Sequence, residues 1–365
     1  MNLRGVTPIF YTQDGTVCRE IPGWRMLSLS LSSSMRGGYK TARMRLAGNA
    51  LDILQAYYLL GQWMPVYGPD GYRCWDGIVY ELHFSNGMSY DLGDISNAVN
   101  VIYSSDIGVR NSVGFTTDTT SIARYGRKEL VQNAGGLTAG TAADFRDQLL
   151  YQHLHSLSVE PFKAPAPAAS GALECELVAY GWYATLGWER WVQTAEGQTD
   201  TGTQIYNIVA SSSFITASTT YIGTTSVTTS QYRPDQNMTL LQEVERLAAL
   251  RDSSNYSLWF QVWNDRVGEL NRWAGGNFPA LDYYMDRRGI YDVDGAEVPL
   301  WHVRADRVLQ TPQYMPLGYG VFSDALDTPQ TLYLSDVELA VTPSDMVLSV
   351  KPMGWRDFAQ LIRSY

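Results

Sequence analysis

Residues 26–32, MLSLSLS, and 40–46, KTARMRL, decide the fold class. In the first stretch Leu27, Leu29 and Leu31 fall on one face with serines between them, and in the second Ala42, Met44 and Leu46 repeat the pattern. Successive side chains of a strand point to opposite faces, so this period of two predicts half-buried antiparallel strands. Just beyond lies GNALDILQAYYLLG (48–61), with Asn49 as N-cap, apolar positions at Leu51, Leu54 and Tyr58, and Gly61 as the stop. One short helix is therefore expected to interrupt the sheet. The next run, WMPVYGPDGYRCWDGIVYELHFSNGMSYDL (63–92), has two turn signals, GPDG and SNG, separating three strand-like segments. Asn86-Gly87 suits a type I′ hairpin, whose central residues both need positive φ. Residues 1–115 thus read as a compact β-sandwich or barrel carrying one helix.

From 116 to 171 the pattern changes. TAADFRDQLLYQHLHSL (141–157) begins with a capping-box pattern, Thr141 with Asp144, and repeats Phe145, Leu149, Leu150, Leu154 and Leu157 at helical spacing. The following VEPFKAPAPAASGAL has the Pro, Ala and Gly content of a linker. The second half opens on LECELVAYGWYATLGWERWVQ (173–193), expected as aromatic strands, and ASSSFITASTTYIGTTSVTTS (210–230), whose β-branched content predicts exposed strand. Thr239 and Gln242 form a second capping box ahead of an apolar stripe at Leu240, Leu241, Val244, Leu247, Ala248 and Leu250. After that helix Tyr256, Leu258, Phe260 and Val262 alternate with Ser257, Trp259 and Gln261, predicting a helix followed by a hairpin. The last eighty or so residues return to short strands with Asp-Gly and Pro punctuation.

Composition narrows the function. The chain has 365 residues, 11 tryptophans, 24 tyrosines, 32 glycines and only 18% charged residues, which excludes a disordered or linker-rich protein. A net charge of −10 argues against duplex-DNA recognition, which needs a basic footprint, but not against DNA passing through unheld. Cys18, Cys74 and Cys175 form no CxxC pair and suggest neither a disulfide scaffold nor a zinc ribbon. The N-terminus MNLRGVTPIF has no apolar signal core, and no run reaches membrane-spanning length, so a soluble protein without membrane insertion is expected.

Candidate chemistry is sparse. His153 and His155 sit two apart, so on a helix they diverge and cannot share a metal. DVDGAE (292–297) resembles the start of a calcium loop but has Val303 where the closing Glu belongs, so Asp294-Gly295 reads as a hairpin turn. Neither Asp70 with Asp76 nor Asp282 with Asp286 has a feature that would hold one proton and release another. No Gly-x-Ser-x-Gly elbow or Walker loop occurs. The basic segment SIARYGRKELV (121–131) looks like a phosphate loop but carries one glycine and no nucleophile. Tyr125 and Gly126 are expected to form a structural connector, with Arg124, Arg127 and Lys128 anchoring acidic neighbours or a partner surface. No enzyme activity, cofactor or metal is expected.

Taken in order, these segments resemble a known family. GQWMPVY (61–67) and WDGIV (75–79) are similar to the core of the tail-tube-type β-barrel domain of phage tail proteins, on Gly61, Pro65, Val66, Trp75, Gly77 and Val79. YDLGDISNAVNVIY followed by SIARYGRKEL resembles the junction after the first domain in tail hub proteins, placing Arg124, Tyr125, Gly126 and Arg127 as the inter-domain connector. Residues 236–271 resemble the helix-plus-hairpin module of such hubs. The resemblance implies a mainly β chain with α+β inserts and two tube-like barrel or sandwich domains. The expected division is 1–115 as the first, 116–171 as helical connector and linker, 172–195 with 278–365 as the second, and 196–277 as an inserted α/β module. It further implies a structural virion protein, a hub or baseplate ring at the tail tip, assembled in the host cytoplasm, that caps or continues the tail tube and conducts the genome. Its partners would be itself, as a homotrimer ring or a hexamer, and neighbouring distal-tail or tube, tape-measure and tip or fibre proteins, with DNA in transient passage. A lytic domain of the kind some hubs carry is not expected after DFAQLIRSY. A distal-tail ring and a tail-tip carbohydrate-binding adhesin are the alternatives, the latter because Trp182, Trp188 and Trp191 could stack on sugar rings. A peptidoglycan hydrolase ranks last, for want of a site.

Overall fold

A computed structural model describes residues 2–18, 23–34, 36–69, 71, 73–104, 110–154, 172–191, 198–230, 238–256, 258–272, 283–286, 290–293, 301–304, 319–323 and 330–352. In chain order the main elements are β1 (Arg25–Ser34), β2 (Gly37–Asn49), α1 (Ala50–Leu54), β3 (Gly77–Phe84), β4 (Ser89–Asp91), β5 (Ala98–Ser104), α2 (Thr119–Tyr125), β6 (Glu129–Gly135) and α3 (Ala139–His153). There follow β7 (Ala172–Gly181), α4 (Thr201–Ala210), α5 (Leu240–Ala248), β8 (Leu258–Val262), β9 (Gly268–Arg272), β10 (Gln330–Val341) and β11 (Met346–Pro352). The architecture is mainly β, with largely antiparallel sheets and short helices.

One large sheet organises the chain, in the order Ile290–Val293, Trp301–Arg304, β11, β10, β1, β2, β7, β3, β4. Among the described residues its two ends do not pair with each other, so the sheet is open rather than a closed barrel. β7 lies between β2 and β3, and β10 pairs with β1, so the sheet is continuous from the first third of the chain to the last. A second, four-stranded sheet holds β5 beside β6 in parallel, with Thr116–Thr117 and Arg110–Ser112 on the other edge of β5.

The period-two reading fits β2, where Ala42, Met44 and Leu46 are buried and Arg43 and Arg45 exposed. In β1 the register shifts between Met26 and Ser28, so Met26, Leu29 and Leu31 enter the core and Leu27 stays half-buried. A bulge inserts one residue and so inverts the phase of everything before it. α1 is capped as expected, Asn49 Oδ1 accepting from the Asp52 N–H at 3.0 Å. Its buried face differs: Leu51 is 77% and Tyr58 68% exposed, while Ile53, Ala56 and Leu59 are buried. The cause is that α1 tightens after one turn into a 3₁₀ helix (Gln55–Leu59), whose three residues per turn align positions 53, 56 and 59.

The 84–88 turn is not type I′. Phe84 C=O accepts from the Gly87 N–H (2.9 Å) and its N–H donates to Met88 C=O (2.8 Å), and only Gly87 has positive φ, at +89°. That is a three-residue loop ending in a left-handed glycine, held by Asn86 Oδ1 accepting from the Met88 N–H at 3.1 Å. α3 begins three residues before the expected box, because Thr138 caps it by accepting from the Thr141 N–H. Ala142 is buried there and Phe145, Leu149, Leu150 and Leu154 are half-buried; Leu157 lies outside the described residues.

Beyond β7 the aromatic run leaves the strand at Gly181 for a 3₁₀ turn over Trp182–Gly187, closed by Thr185 Oγ1 donating to Trp182 C=O at 2.7 Å. The expected strand over 210–230 is instead a series of turns, with strand only at Thr228–Ser230. Hydroxyls capture local amides: Ser212 Oγ accepts from the Phe214 N–H, Ser218 Oγ from Thr220 and Thr225 Oγ1 from Val227. Such side chains offer the backbone an alternative to a ladder. Just before it stands α4, which was not among the expected helices, capped by Asp200 and burying Ile205, Ile208 and Val209. The Thr239–Gln242 capping box is present on α5, and β8 and β9 form the hairpin after it. β8 does not alternate, since Trp259, Phe260, Gln261 and Val262 are all buried. Asp294-Gly295, Asp70, Asp282 and His155 lie outside the described residues.

Candidate functional site

The six residues that carried the resemblance, Gly61, Pro65, Val66, Trp75, Gly77 and Val79, surround one corner of the core. Gly61, at φ +80°, ends the 3₁₀ turn, its N–H donating to Val79 C=O (2.9 Å) while Val79 N–H donates to Gln62 C=O (2.9 Å). Pro65 C=O accepts from Ile9 N–H at 3.0 Å, and Val66 pairs with both Pro8 and Trp75. Trp75 is fully buried, with Nε1 donating to Ser32 C=O at 3.3 Å, and Gly77 faces Gly181 across the β3–β7 pair.

This corner meets the connector. Tyr125, the last residue of α2, is buried against Gly61, where an added Cβ would stand 2.8 Å from the Tyr125 ring. Gly126 follows at φ +80° and ψ 170°, a conformation open essentially to glycine, and lies on the Phe214 ring. Asn97 Nδ2 donates to Gly126 C=O at 2.7 Å. The basic residues divide their roles. Arg127 pairs with Glu129 (2.7 Å), but Arg124 lies over the Tyr57 and Tyr125 rings, each 4.8 Å away. Lys128, expected to anchor acidic neighbours or a partner surface, is buried: its Nζ donates to Leu92 C=O and stands over the Tyr80 and Trp188 rings. Burial lowers its pKa to about 8, against the pull of Asp91 and Asp94. The segment joins the two sheets through side-chain packing and has no phosphate-cradle geometry.

Asp76, dismissed in the sequence as half of a carboxylate pair with Asp70, is the most deeply enclosed ionisable group of this corner. It is 0% exposed, and its Oδ1 accepts from Trp63 Nε1 and from Trp182 Nε1 (3.0 Å). Its Oδ2 accepts from Arg73 Nη1 at 3.1 Å, and Arg73 also reaches Asp265 at 2.8 Å. Arg266 completes the cluster, 4.0 Å above the Trp182 ring, from a left-handed turn between β8 and β9. Desolvation nevertheless raises the Asp76 pKa, the indole and guanidinium donors pulling the other way. The cluster ties Arg73–Trp75, the Trp182 turn and the β8–β9 turn together. The WDG spacing was the only sequence signal, and it did not reveal that a tryptophan 106 positions away would donate to this acid.

Trp182 and Trp188 are 1% and 8% exposed and Trp191 is half-buried, so these rings form core packing and not a sugar-stacking platform. His153 Nδ1 contacts Asp94 C=O at 3.3 Å. Among the described residues no group of three or more His, Cys, Asp or Glu side chains is placed to hold a metal ion, and no helix is long and apolar enough to cross a membrane. Burial raises the Cys175 thiol to about 12, which leaves it inert.

No family model matches the sequence, and no curated protein does. Solved structures do. The prophage MuSo2 43 kDa tail protein from Shewanella oneidensis superposes with a TM-score of 0.51 at 8% identity, over 94% of this chain and 97% of that one. A tail protein from Neisseria meningitidis MC58 superposes with a TM-score of 0.47 at 10% identity, over 95% and 96%. By the first of these likenesses, the chain has a fold like that of a phage tail protein.

Proposed function

We propose that this chain is a structural virion protein, a hub or baseplate ring at the tip of a phage-like tail that continues the tail tube and conducts the genome during ejection. The observation that carries the reading is the outward face of the main sheet. There Ser30, Arg43, Arg45, Glu174 and Glu176 stand side by side, and the charges are paired: Arg45 with Glu174 at 2.6 Å, Arg43 with Glu176 at 3.3 Å. Ser30 donates to Glu338 at 2.6 Å on the same face. With Arg43 and Arg45 both paired to carboxylates, this face of a chain of net charge −10 offers a passing polyanion little to bind. Support for a tail role comes from the fold.

In this proposal three copies close a ring, each contributing two tube-like units; a hexamer is the other closure. Distal-tail or tube, tape-measure and tip or fibre proteins dock on it, in a particle assembled in the host cytoplasm. The role needs no enzyme activity, cofactor or membrane insertion. A distal-tail ring would use the same face. The test is the solution mass of the purified protein together with electron-microscope images of the same sample. Closed rings with a central hole are expected. A monodisperse monomer that binds glycans or degrades cell wall would overturn the proposal.

A further inference from the structure

The edge of the second sheet is built to take another strand. β6 pairs with β5 on one side, Lys128 C=O accepting from Ala98 N–H at 3.0 Å. Backbone groups alternate sides along a strand, so Leu130, Gln132 and Ala134 bond toward β5, while Glu129, Val131, Asn133 and Gly135 point away. Trp188 C=O takes the Glu129 N–H (2.8 Å), and Gln132 Nε2 donates to Asn133 C=O (3.2 Å). Among the described residues the N–H and C=O of Val131 and the N–H of Asn133 have no partner. Gln132, Asn133 and Gly135 are exposed. An unpaired row of this kind is a template for an incoming strand.

A groove opens between Ala134 of β6 and α3. Its volume is about 410 Å³, and it is lined by Ala134, Leu137, Thr141, Asp144, Phe145 and Gln148. Ala134, Leu137 and Phe145 are half-buried and give it an apolar floor. Asp144 stands exposed at the rim and makes no ion pair among the described residues. The two features are complementary to one kind of ligand. A helix satisfies its own amides and gains nothing from the edge. An extended segment pairs with Val131 and Asn133, and where it passes Ala134 it brings a side chain to the groove.

We propose that β6 and this groove bind an extended segment of a partner polypeptide by strand addition. The segment has apolar side chains at alternate positions and a basic residue facing Asp144, and about five of its residues, roughly 17 Å, lie in register with Val131–Gly135. This surface goes beyond the ring proposed above and does not depend on it.

The test uses the full chain and short acetylated peptides of alternating threonine and valine, with a central lysine or a central glutamate. Binding is read by fluorescence anisotropy, and hydrogen exchange is followed at residues 129–137. The lysine peptide is expected to slow exchange of the Val131 and Asn133 amides at least tenfold at saturation. It should bind about two- to fivefold more tightly than the glutamate peptide, the range of one exposed ion pair. Asp144→Lys, at an exposed position, should reverse that preference, and a peptide N-methylated on its pairing edge should not bind. Absence of protection at millimolar peptide, binding indifferent to N-methylation, or an unchanged preference in Asp144→Lys would each overturn the proposal. Protection already present without peptide, in a sample containing oligomers, would show that a second copy occupies the edge and would overturn a distinct partner.

Discussion

Replacing Asp76 by alanine tests whether the buried corner is held by charge. The carboxylate is 0% exposed and accepts three donors, two indole N–H groups and the Arg73 guanidinium. Asp76→Ala leaves the Trp182 N–H buried without an acceptor, at about 1–3 kcal/mol. It also leaves Arg73, 18% exposed in its side chain, with only Asp265, which is 74% exposed. Breaking a buried pair on one side costs about 3–5 kcal/mol, and because these terms overlap the expected loss is about 4 kcal/mol. Asp76→Asn keeps one oxygen for the two indoles but presents an amide N–H₂ to Arg73, so about 2 kcal/mol is expected. Urea unfolding followed by tryptophan fluorescence measures both, since Trp63 and Trp182 report directly on the site. A loss below about 1 kcal/mol for Asp76→Ala, or equal losses for the two variants, would refute the argument that this acid organises the corner.

Gly61→Ala and Gly126→Ala should each cost at least 1–2 kcal/mol, because both residues have φ +80°, and hydrogen exchange in α2 should speed up most in Gly61→Ala, whose new methyl meets Tyr125. Lys128 gives a pH signature. Its folded pKa of about 8 lies below the ordinary 10.5, so the unfolded chain binds more protons between those values and the site's contribution to stability rises with pH across that window. The difference between wild type and Lys128→Met, which subtracts the tyrosine and cysteine titrations, should change by about 3 kcal/mol from pH 8 to 10.5 and be flat below pH 7; a flat difference throughout would refute the burial argument. A double-mutant cycle on Arg45 and Glu174, whose side chains are 55% and 45% exposed, should give less than about 1 kcal/mol and vanish in high salt.

What could be read from the sequence was local. The capping box of α5, the Asn49 cap of α1 and the alternation of β2 depend on residues within four positions of one another, so they were legible. The misreadings share a cause. The β1 bulge, the 3₁₀ switch after α1 and the hydroxyl-held turns over 210–230 are choices between local conformers of similar energy, settled by what packs against them. α4 did carry a local signal, the Asp200 cap with Ile205, Ile208 and Val209 at helical spacing, but over an apolar stretch of little more than one turn.

The sequence by itself determined that the chain is a β-rich, sparsely charged protein with a few capped helices, because period and caps are written in neighbouring residues. Only the tertiary structure decided that β7 slots between β2 and β3, that Gly61 seats Tyr125, and that Trp182 donates to Asp76. Each of those contacts joins residues 64 or more positions apart, and a pairing over such a distance is selected by the fit and burial of the whole core, which no window of sequence contains.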